Sequence, residues 1–290
     1  MIALVIGLAT AILHEYSKSH LTGRTSGHCW QTSISAYYYT PVQLMFVGGL
    51  VAIGISLIAL KGSTELEDVF LNFAGILAPI VAFVPTPNVG RCGSVLSDTT
   101  NRKTNIDNNV LALLVMAGVT FLFLLVLKFL VKKPVTGVPA QVARKTPADE
   151  EWARRITAIG FALALAFYIA TAIVFWTDRD WFDEHAHWTA AITMFASIFL
   201  AVLNNAINFH FTQKRNAETT GTPAKRFNWY LLIALLMGLS LALTKGWPRF
   251  GEHGTLLLEA SMILLFAVFW VIQTSELWNY GLRTPEEERH

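Results

Sequence analysis

The chain has 290 residues, of which 53% are hydrophobic and only 14% charged, well under the roughly 25% charged content of a soluble domain. That composition, with a mean hydropathy of +0.46, excludes a globule coated by charge in water. The formal net charge of +2 offers no basic surface for nucleic acid.

The apolar runs, taken in chain order, are Met1–Glu15, Pro41–Leu60, Val69–Pro85, Asn108–Val131, Ile156–Trp176, Thr189–Phe209, Trp229–Thr244 and Thr255–Thr274. Most approach the roughly 20 residues that a membrane helix needs. Only a helix satisfies its own backbone hydrogen bonds in lipid, and strand-like alternation is absent. The expected fold is therefore an all-α polytopic transmembrane bundle of about eight helices. The first run is the weakest, being short of a bilayer core and interrupted by His14 and Glu15. In the second, Gly48, Ala52, Ser56 and Ala59 form a stripe of small residues suited to close helix packing. Pro79 is expected to kink the third.

Placing the segments after the second, fourth, sixth and eighth helices on one side gives that side 14 of the 22 lysines and arginines. The richer side is expected to be cytoplasmic, with both termini inside. The expected organisation is a first four-helix half (1–131), a cytoplasmic connector rich in proline (132–155), a second half (156–280) and a charged cytoplasmic tail (281–290). Cys29 and Cys92 fall on the opposite, outer face, either as a disulfide suited to an oxidising exterior or as two separate thiols. The expected location is the cell membrane, as in a bacterial inner membrane.

No phosphate loop, dinucleotide fingerprint or HExxH motif occurs, so candidate chemistry rests on polar residues near or within the bilayer, where they are costly. The outer mouth gathers Asp183, Glu184, His185 and His187 before the sixth helix, Glu252 and His253 before the eighth, and Glu259 one turn inside it. His14, Glu15, His20 and His28 share that face. Imidazoles and carboxylates suit zinc, although His185-Ala-His187 would put its two rings far apart around a helix. Glu259 in the run Thr255–Glu259 needs a partner such as His185, Thr189 or Arg249. Its readings are an acid, a ligand for a cation or headgroup, a metal ligand, or a helix-locking hydrogen bond. A second candidate is a polar seam along the sixth helix, Thr189, Thr193, Ser197, Asn204 and Asn208, expected to face protein. A third is the hydroxyl-rich run Gln31–Thr40 ahead of Pro41.

The segments Ser33-Ile34-Ser35-Ala36-Tyr37-Tyr38-Tyr39-Thr40, Phe46-Val47-Gly48, Asn72-Phe73-Ala74-Gly75 and Phe83-Val84-Pro85-Thr86 resemble a group of uncharacterised bacterial integral membrane proteins. The stretch from His187 through Ala190, Ala191 and Phe195 is loosely similar to DRAM-like membrane proteins. The resemblance implies a multi-helix membrane fold and no activity. The zinc hydrolases of the alkaline ceramidase and adiponectin-receptor superfamily carry a late HxxxH that is missing here, so no catalytic role is carried over. The expected function is a membrane protein that binds membrane lipids or a protein partner, without nucleic acid. The alternatives are an outer-face zinc hydrolase and a proton-coupled transporter.

Overall fold

A computed structural model describes residues 1–19, 28–59, 62–87, 92, 102–130, 147–220, 227–246 and 248–277. Among these the chain forms eight α-helices and no strand. They are α1 (Ile2–Lys18), α2 (Gln43–Ala59), α3 (Glu65–Phe83), α4 (Arg102–Leu130), α5 (Pro147–Thr177), α6 (Arg179–Thr220), α7 (Trp229–Gly246) and α8 (Gly254–Leu277). Short 3-10 helices at Ser35–Tyr39 and Pro248–His253 lead towards α2 and into α8. Five helices, α3, α4, α5, α6 and α8, are long and apolar enough to cross a membrane, and α2 and α7 are shorter apolar helices. At 1.5 Å per residue the 17 residues of α2 fall short of a roughly 30 Å core. The residues of the connector from 132 to 146, and the tail 281–290, lie outside the described residues.

Helices α3 and α6 stand at the centre. Half of the apolar window of each is buried, against 11% and 6% for α4 and α5, which present Val115, Met116, Leu122 and Ile159 outward. In a membrane that outward apolar surface meets acyl chains, so it carries no solvation cost. The core joins Leu71, Leu77 and Val81 of α3 to Met194, Ile198 and Val202 of α6, with Met262, Phe266 and Phe269 of α8 beside them.

Two sequence expectations about packing are corrected. The stripe Gly48, Ala52, Ser56 and Ala59 does not mediate the approach of α2. Its buried residues are Phe46, Gly49, Gly54 and Leu57, and a Cβ on Gly48 would meet nothing within 4 Å. The close approach is at Gly54 and Gly75, where an added Cβ would lie 2.8 Å and 2.7 Å from the other glycine's carbonyl oxygen. The second correction concerns α6. It starts at Arg179, so Asp183, His185 and His187 lie within the helix rather than in a loop before it. Buried Phe182, Ala186 and Ala190 extend its apolar face through that polar stretch.

Candidate functional site

The Glu259 end of the bundle is built around the segment Gln31–Tyr39. Leu256 donates its backbone amide to the Thr32 carbonyl at 3.0 Å, docking the start of α8 on this segment. One turn further along, the Ile34 amide donates to Glu259 Oε2 at 2.6 Å. The carboxylate is 8% exposed, and among the described residues no cationic side chain pairs with it. His253 Nδ1 approaches the Gln31 carbonyl at 3.3 Å. The Gln31 side chain is buried, and neither of its polar atoms has a hydrogen-bond partner among the described residues. Tyr37, Tyr38 and Tyr39 are buried here, which pushes all three phenol pKa values up by desolvation. Tyr39 donates to the Thr86 carbonyl at 2.7 Å. Cys29 and Cys92 form a disulfide with Cα atoms 5.7 Å apart, tying this segment to the chain beyond α3.

Asp183 and His187 go elsewhere. One helical turn apart on α6, they face the end of α3 and the start of α4. His187 Nδ1 donates to the Val84 carbonyl at 2.6 Å, and Nε2 has no partner among the described atoms. Arg102 donates to the carbonyls of Asp183 at 2.5 Å and Pro85 at 3.2 Å. Asp183 Oδ1 lies 3.8 Å from Arg179 Nε, and Arg179 pairs with Asp107. His185 points away, exposed and stacked on Trp181 with ring centroids 4.9 Å apart. The candidate residues of the outer mouth thus divide into two groups. No hydrogen bond or ion pair among the described residues joins Glu259 to His185, His187 or Thr189. Of the other sequence candidates on that face, Glu15 is buried near the end of α1, His28 packs against Tyr16 at 5.0 Å, and Glu184 and Glu252 are exposed. His20 and the side chain of Arg249 lie outside the described residues. Among the described residues, no group of three or more His, Cys, Asp or Glu side chains converges as a metal would require.

Along the α6 seam the polar side chains differ in exposure, and Asn204 reaches Thr64 at the start of α3. Ser197 is buried, but Thr189 is exposed, and Thr193, Asn204 and Asn208 are half-buried. The Thr193 and Ser197 hydroxyls donate to the carbonyls of Thr189 and Thr193, one turn back, at 2.7 and 2.8 Å. Such bonds satisfy the hydroxyls within their own helix.

Sequence reasoning named Asn204 but missed the polar cluster it joins at the opposite end of the bundle. Glu67 is fully buried. Its carboxylate accepts from the Ser63 amide at 2.6 Å and from Gln273 Nε2 at 2.5 Å. Gln273 also donates to Ser63 Oγ at 2.9 Å, Ser63 Oγ reaches Asn205 Oδ1 at 3.4 Å, and Asn204 donates to Thr64 Oγ1 at 2.7 Å. The available signal was the capping pattern Thr64-x-x-Glu67. Thr64 caps α3, accepting from the Glu67 amide at 3.2 Å, while the Glu67 side chain turns back to the preceding loop.

Between the two polar ends, α8 carries Met262, Phe266 and Phe269 on the face shared with Glu259 and Gln273. All are buried, and Phe266 and Phe269 stack at 5.7 Å. The described cavities are apolar. One of about 60 Å³ lies among α1, α2, α3, α6 and α8, and one of about 480 Å³ between α1 and α8. A third, of about 400 Å³, lies among α6, α7 and α8, lined by Trp188, Phe195, Phe199, Met237, Leu241 and Met262. Glu259 borders both the first and the third.

The fold and this surface define a polytopic α-helical membrane protein. No protein-family model matches the chain, and no curated protein or solved structure matches it either.

Proposed function

We propose that this membrane protein binds a lipid, with an acyl chain seated in the groove among α6, α7 and α8. The carrying observation is the groove itself. Its volume of about 400 Å³ lies in the range of small-molecule sites, roughly 300–1,000 Å³. Ile192 and Leu241 on its wall are 67% and 51% exposed, so it opens onto the apolar outer surface where lipid chains lie. Trp188 and Phe199 are eleven residues apart on α6, so the groove runs on the order of 16 Å along the helix. A lipid-binding role is favoured over transport because the interior between Glu259 and Gln273 is filled by Met262, Phe266 and Phe269. The zinc-hydrolase reading has no converging ligand set to support it among the described residues. The lysine and arginine asymmetry supports a cell-membrane orientation with the Glu67 end inside. The disulfide beyond the other end supports an oxidising compartment there.

Gly238 supplies the test. It lines the groove, and a Cβ on it would meet nothing within 4 Å, so Gly238→Phe is chosen to fill the groove. Gly48→Phe, on an equally open position of α2, is the control. Mass spectrometry of the detergent-purified protein is expected to find retained lipid in the wild type and in Gly48→Phe, and several-fold less in Gly238→Phe. Equal lipid in all three would overturn the reading.

A further inference from the structure

The carboxylate in the groove wall narrows the ligand class. We infer that Glu259 binds the protonated amine of a single-chain amphiphile whose tail occupies the α6–α7–α8 groove. The inference rests on the lipid-binding reading and adds a head group to it.

Glu259 is nine-tenths buried and has no cationic partner among the described residues. The Ile34 amide donates to Oε2 at 2.6 Å and the Ser35 amide also hydrogen-bonds the carboxylate, two neutral donors that bring no countercharge. An ionised carboxylate in so apolar a setting is costly unless it is paired. Glu259 lies in the wall of a groove whose other lining residues include Phe195, Phe199, Met237 and Met262. Thr255, one turn before Glu259, lines the same wall. Trp188 stands at the same end of α6, so the polar group and the amphipathic ring mark one end of the groove and the apolar side chains the other. An ammonium satisfies Glu259 by a charge-assisted hydrogen bond, and a tail running towards Phe199 fills the rest. A carboxylic acid of the same length brings like charges together, which disfavours it. An alcohol donates a hydrogen bond without charge and falls between the two.

The probes are a long-chain alkylamine brominated at mid-chain and the carboxylic acid and alcohol of the same chain, read by quenching of tryptophan fluorescence in the detergent-purified protein. The wild type is expected to bind the amine roughly tenfold more tightly than the acid. Glu259→Gln, whose side-chain oxygen still accepts the Ile34 amide, is expected to lose that preference while keeping its thermal midpoint. Glu259→Asp is expected to retain the preference. Equal binding of amine and acid by the wild type, or a preference that persists in Glu259→Gln, overturns the inference. In either case, quenching that Gly238→Phe abolishes leaves the groove reading standing. Quenching by all three probes that Gly238→Phe leaves unchanged overturns both.

Discussion

Glu67 and Glu259 are both buried carboxylates, and they are satisfied to different degrees. Both oxygens of Glu67 are engaged, by the Ser63 amide and by Gln273. Removing it orphans two donors at a fully buried position, at a cost of about 1–3 kcal/mol for each donor left without a partner. Glu67→Ala is therefore expected to lower the unfolding midpoint clearly, read by thermal or denaturant titration in detergent, and an unchanged midpoint would show that the network contributes nothing. Glu259 was legible in the sequence because a lone acid in an apolar run is conspicuous. The Glu67 network was not, because Gln273 lies 206 positions away and no local pattern links the two. The histidines were legible as polar residues near a boundary but not in their roles. His185 and His187 are two residues apart, so the helix turns one outward to Trp181 and the other inward to Val84.

Helix spans were the most legible elements, since hydropathy is a property of each segment alone. The boundaries drifted where polar residues sit on a buried face. The stretch from Arg179 to His187 reads as a loop, but its carbonyls and amides continue the helix, and Arg102 and Val84 supply partners from other elements. Packing faces were harder to read. A stripe of small residues on α2 suggested close packing against another helix, whereas Gly54 makes the close approach, to Gly75 of α3. Helix propensity favours alanine over glycine, so Gly48→Ala is expected to be neutral or to stabilise by up to about 1 kcal/mol. Gly54→Ala drives a Cβ against the Gly75 carbonyl and is expected to destabilise, by about 1–3 kcal/mol as overpacking does. Paired unfolding titrations read the difference, and equal midpoints would contradict the assigned contact.

At the scale of the whole molecule, an apolar core of α3, α6 and α8 separates two polar ends, and apolar grooves open where α7 and α1 meet it. The Cys29–Cys92 bridge spans 63 positions. In the chain-entropy account a loop of that length stabilises by about 4 kcal/mol for a chain free in water, and confinement of the chain in a membrane reduces the figure. Cys29→Ser is expected to lower the thermal midpoint, as is reduction of the wild type, and a midpoint insensitive to both would mean the bridge adds no stability. The central claim, lipid in the groove, is tested most directly by photo-crosslinking in bilayers that contain a phospholipid with a photoactivatable acyl chain, followed by peptide mapping. Adducts are expected to concentrate on Phe199, Met237 and Leu241 beyond those on freely exposed Met116 and Leu122 of α4. Adducts spread over the exposed faces without enrichment in the groove would contradict it.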